Sequence, residues 1–230
     1  MLEALGGYAS ERKLRLFACA CCRLMWELLP DAQCRAAVEV AERLADDLIS
    51  AEELAETERR LGEMVQTEQR RVEARDAATG HLFVYKDARY LAILGARAAI
   101  LNSIRDLRLS EALGCQAAAH ASQTGATEQV IQAAFESAAN DEDRAQADLL
   151  RDLFSEWFRP VELDLAWLTS DVLALARGMY ESRDFGAMPI LADALQDAGC
   201  DNADVLAHCR GANAVHVRGC WVVDLLLGKV

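Results

Sequence analysis

The chain is predicted to be all-α: a helical bundle followed by a compact helix-hairpin subdomain. Three observations carry this. Alanine and leucine dominate, interleaved with Glu and Arg, and these are the strong helix formers. Only three of the 230 residues are proline, and 53% are hydrophobic, which fits an ordered chain. No stretch alternates polar and apolar residues with β-branched enrichment for long enough to form a sheet. A compact chain of this length buries roughly 70% of its unfolded surface, so it needs no disulfide or metal to fold.

The elements follow in order. Ser10 is placed to cap a helix running to about Leu29, where Pro30 stops it. Asp31 caps the next, "CRAAVEVAERLADDLI". "SAEE" at 50–53 is a capping box in which the Ser50 hydroxyl takes the Glu53 amide and the Glu53 carboxylate reaches back. The helix it opens is long and polar, with Leu54, Leu61, Val65 and Val72 on a narrow stripe. Such a stripe is thinner than a core helix needs, so this segment is expected to protrude and meet another chain.

"ATGHLFVYKD" at 78–87 is expected to be a loop or hairpin tip. "ARYLAILGARAAILNSI" is a helix with Leu91, Leu94, Ala98 and Leu101 on one face, and helices follow at 110–121 and 127–158, the latter broken near Asn140. Pro160 forces a turn and marks the expected boundary between a first part, 1–159, and a second, 160–230. Beyond it the elements shorten. Ser170 caps "DVLALARGMYES", and Pro189 opens a helix that Gly199 ends. Asp201 with Asp204 caps "ADVLAHC", and a last helix runs from about Gly219 to Leu227, ending at Gly228. "CWVVDLLL" is apolar nearly all round and is expected to be buried.

The formal net charge is −13. From Gln116 onward, 18 acidic residues face 8 basic ones. Strong acidity opposes binding to phosphate backbones, so nucleic acid is a poor partner. Arg12, Lys13 and Arg15, and Arg70, Arg71 and Arg75, read as solvated helix faces. No signal peptide is visible, "WVVDLLL" is too short to span a bilayer, and a cytoplasmic location is expected. Eight cysteines in a reducing compartment are thiols or metal ligands rather than disulfides.

"RKLRLFACACCRLMWELL", "LLRDLFSEWFRPVELDLAWLT" and "MPILADALQDAGC…LAHCRG…HVRGCWVVDLLLGK" together resemble a large bacterial family of paralogues with no assigned function. The resemblance covers about residues 1–45 and 144–229. It implies no activity, substrate or catalytic residue. It also implies more sequence ahead of Met1, and a Gly-Pro-rich loop where this chain has "GANAV".

Chemistry could reside in few places. Phosphate loops, HExxH and GxSxG motifs are missing. Cys19 and Cys22 share a helical face, while Cys209, His216 and Cys220 surround one loop. Two cysteines of the first pair with two ligands of the second would make a tetrahedral zinc site. A Cys220 thiolate at a helix N-terminus would alternatively have a lowered pKa and thiol reactivity. Against both stands packing, since free Cys is among the most buried residue types. On that reading no cofactor is needed, Cys209 and Cys220 fill the crossing of two helices, and Arg218 reaches Asp224 or the C-terminal carbonyls of the preceding helix. The function expected first is therefore a non-enzymatic protein-interaction or regulatory module, acting through another chain or by self-association. A zinc-binding or thiol-based protein is the alternative.

Overall fold

Ser10 opens the first helix as its side chain predicts, its Oγ accepting the Lys13 amide at 3.3 Å. The structure is a computed structural model that describes residues 10–24, 26–29, 32–79, 88–101, 127–158, 160–211 and 214–229. Among these, all regular structure is helical. The α-helices are α1 (Glu11–Leu24), α2 (Ala32–Ala45), α3 (Ala51–Thr79), α4 (Ala88–Leu101), α5 (Glu128–Phe158), α6 (Ser170–Ser182), α7 (Met188–Asp197), α8 (Ala203–Cys209) and α9 (Trp221–Leu227). None is long and apolar enough to cross a membrane. The expected Asp31 cap, the tip at 80–87 and the helix at 110–121 lie outside the described residues.

Several local expectations are corrected. α1 gives way to a 3₁₀ turn, Trp26–Leu28, before Pro30 is reached. Ser50 does accept the Glu53 amide, at 3.2 Å, but the Glu53 carboxylate pairs with Arg43 instead of turning back. α5 runs unbroken through Asn140. Thr169, not Ser170, caps α6 by accepting from Val172 at 3.3 Å. Asn202, not Asp201, caps α8 by accepting from Asp204 and Val205. In both cases the polar residue immediately before the helix holds the extended backbone that a cap requires.

The chain divides into two compact units, Leu14–Gln146 and a second that joins Met1–Lys13 to Ala147–Val230. The expected boundary at Pro160 is displaced. Asp152 of α5, and Arg12 and Lys13 of α1, bond into the C-terminal corner, and the Leu153 carbonyl accepts from Lys13, so those turns belong with it.

In the first unit, α4 packs on both α2 and α3, and α2 packs on α3. This overturns the protruding arm. Leu61 is 1% exposed and Val65 7%, while Leu54 and Val72 are half-buried. A narrow stripe suffices because the small residues of α2 and α4, such as Ala37, Ala41, Ala92 and Ala96, are themselves buried and let α3 approach closely. Leu61→Ala is therefore expected to cost the isolated chain about 2–5 kcal/mol, read by denaturant titration. An unchanged midpoint with weakened self-association would restore the partner-facing stripe.

In the second unit, α6–α9 enclose one apolar core, with Trp167, Met188, Leu191, Val205, Trp221 and Leu226 among its members. The expected burial of α9 is seen: Trp221, Val222, Val223 and Leu226 are all buried. Gly228 ends the helix with φ +64°, the left-handed conformation glycine adopts at low cost.

Candidate metal centre

α5 brings the first residue of the site. Leu149 and Leu153 lie on its buried face, and Asp152, three residues after Leu149, shares that face and is itself buried. α8 brings the second. Val205 and Cys209, four apart, point into the core. The next-door His208 is rotated about 100° away, which turns its imidazole toward Asp152. The segment after α8 brings the other two. A turn closed by the Cys220 amide donating to the Val217 carbonyl at 2.9 Å holds Gly219 at φ +94°. A side chain would strain that conformation, so the glycine is what lets His216 and Cys220 face the same point.

The four ligand atoms all lie within 4.8 Å of one another. His216 Nδ1 stands 2.7 Å from Asp152 Oδ1, and His208 Nε2 stands 3.1 Å from the same oxygen. His208 Nε2 is also 3.2 Å from Cys220 Sγ, and Sγ is 3.9 Å from His216 Nδ1. The second carboxylate oxygen, Oδ2, accepts the Val217 amide at 3.0 Å, which fixes the carboxylate plane. The two imidazoles meet edge to face with centroids 4.8 Å apart, and Trp221 covers His208 at 5.1 Å. Water has little access: Cys220 is 0% exposed, and the side chains of Asp152, His216 and His208 are 2%, 6% and 15% exposed.

Burial pushes the Asp152 carboxyl up, but hydrogen bonds from His208 and His216 outweigh it and hold the group below the usual range. The Cys220 thiol goes the other way. Burial raises it well above the ordinary value, the Asp152 charge adds to this, and amides of Val222 and Val223 on the sulfur only partly offset it. The expected lowered pKa at the start of α9 is thus overturned by desolvation. The arrangement is also unlike a nucleophilic triad, in which the carboxylate holds the imidazole nitrogen remote from the nucleophile. Here Asp152 and Cys220 approach the same nitrogen of His208.

The sequence-derived ligand set is brought together in part. His216 and Cys220 are in the cluster. Cys209 lies in the apolar core, its thiol pushed up to about 12 by burial first and by neighbouring Cys200 second. Cys19 and Cys22 lie in the other unit, buried, Cys19 with its sulfur on the Val38 carbonyl at 3.8 Å. Asp152 and His208 are the members that sequence reasoning missed. The signal for Asp152 was a carboxylate on the leucine stripe of an amphipathic helix. For His208 it was the helical rotation that separates it from Cys209.

No protein-family model matches the chain, and neither does any curated protein or solved structure. The local chemistry therefore bears the functional weight.

Proposed function

We propose that this is a metal-binding protein in which Asp152, His208, His216 and Cys220 hold one zinc-class divalent cation as a structural centre. The observation that carries the proposal is the convergence of one oxygen, two nitrogens and one sulfur on a single buried point. Tetrahedral zinc has metal–ligand bonds of about 2.0–2.3 Å, which sets its ligand atoms about 3.3–3.8 Å apart. Four of the six separations here run from 2.7 to 3.9 Å and surround that interval, and none exceeds 4.8 Å. Charge agrees with geometry: a dication with one carboxylate and one thiolate sums to zero, which is what a buried site tolerates. The Val222 and Val223 amides on sulfur are the donors a bound thiolate uses.

Without an ion the same atoms satisfy one another poorly. Asp152 Oδ1 and Cys220 Sγ both lie within reach of His208 Nε2, a single hydrogen-bonding site that can serve only one of them. Four protein ligands and deep burial leave no open position for water or substrate, which supports a structural ion over a catalytic one. This is consistent with a non-enzymatic module whose C-terminal corner is held shut by the ion.

The test is metal content of protein purified without added metal, followed by zinc titration. Wild type is expected to carry or take up one equivalent. Cys220→Ala is expected to lose it, whereas Cys209→Ala keeps it and loses only about 1–2 kcal/mol to a small cavity. A wild type that takes up no zinc, or a Cys220→Ala protein that binds it as well as wild type, would sink the proposal.

A further inference from the structure

Lys13 is 2% exposed, although its neighbourhood reads as a solvated basic face. Its Nζ donates to the Gly219 carbonyl at 2.7 Å and to the Leu153 carbonyl at 3.1 Å, and lies 3.0 Å from Asp224 Oδ2. An ammonium has three N–H donors, and among the described residues three acceptors stand within reach. Two of them are not arbitrary. Leu153 directly follows Asp152, and Gly219 directly precedes Cys220. One buried cation therefore grips the backbone beside two of the four metal-site residues, one on α5 and one at the entrance to α9. Asp224, which completes the grip, is itself held by Arg12 through bonds of 2.7 and 3.1 Å, and Arg12 also donates to the Tyr180 hydroxyl at 2.7 Å.

We infer that Lys13 is a positioning residue for the metal centre: it fixes the spacing between the Asp152 carboxylate and the Cys220 thiolate. This rests on the proposed ion. Groups that orient metal ligands typically change affinity by about 10–100-fold when removed, and a ligand pair whose spacing is set from outside belongs to that class. The linkage is reciprocal. If Lys13 favours the ion, the ion favours the buried position of Lys13.

Two measurements test this. Zinc affinity is measured by competition with a chromophoric chelator for wild type, Lys13→Met and Lys13→Arg, with Leu195→Ala as a control that weakens the same core away from the ligands. Lys13→Met is expected to bind zinc about 10–100-fold more weakly while keeping the thiolate-to-metal absorption of the cobalt-substituted protein. Lys13→Arg, which can still donate to both carbonyls, recovers most of the loss, and Leu195→Ala binds as wild type does. Equal affinity in Lys13→Met and wild type would overturn the inference and leave the metal centre standing. A wild type that binds no zinc removes both.

Should Lys13→Met fail to fold, wild-type protein decides. The chain has three lysines, Lys13, Lys86 and Lys229, so amine acylation resolves them individually by mass. Chelation at a temperature where the helices persist is expected to raise Lys13 labelling at least several-fold relative to Lys229. The same Lys13 rate with and without metal would refute the linkage.

Discussion

Chelating the proposed ion is expected to lower the melting temperature by about 8–16 °C. A ligand held at a thousand times its dissociation constant stabilises the native state by about 4 kcal/mol. For a chain of this size each kcal/mol moves the midpoint by about 2–4 °C. The ion would tie together short elements: α8 and α9 are each seven residues long, below the length at which an isolated helix is stable. Binding energy at such a centre is folding energy, so the loss should appear as a drop in the transition of the C-terminal unit. Trp221, its ring tilted against His208 with centroids 5.1 Å apart, gives the optical signal. Identical melts with and without a strong chelator, in protein shown to contain zinc, would make the ion incidental to stability.

The second large effect is expected at Asp224. Its carboxylate is 1% exposed and faces both Arg12 and Lys13. Asp224→Ala removes the buried carboxylate that both cations face, and breaking a buried ion pair from one side costs about 3–5 kcal/mol. Urea titration should show this as a shift in midpoint. A loss below about 1 kcal/mol, the range of exposed pairs, would mean that water reaches the cluster. The expected partner of Asp224, Arg218, is elsewhere: its guanidinium lies over the Tyr180 ring at 4.6 Å.

Helix type and most helix ends were legible because they depend on neighbours in sequence. Gly199, Gly228, Pro189 and Ser50 each act within a turn of their own position, and each does what its chemistry predicts. The failures involve residues whose role is set by distant chain. Leu61 and Val65 looked too sparse to anchor a helix, but how much a stripe must bury depends on how small the facing residues are. Lys13 looked solvated because it sits between Arg12 and Arg15. Only the fold brings it to carbonyls more than a hundred residues away. The candidate site divides the same way. His216 and Cys220 share one short segment and could be paired from spacing. Asp152 belongs to another helix, and although the flanking leucines mark its face as buried, nothing in the sequence says which distant residues it meets there.

The C-terminal unit is discontinuous in sequence, and this has a consequence for biosynthesis. Arg12 and Lys13 are synthesised about two hundred residues before Asp224. At about 5–20 residues per second, the two cations wait roughly 10–40 s for the carboxylate that holds them. During that interval Leu14–Gln146, a compact unit continuous in sequence, is already synthesised. Closure of the C-terminal unit then waits on Asp224, and for that whole period its two halves are exposed to chaperones and proteases unjoined.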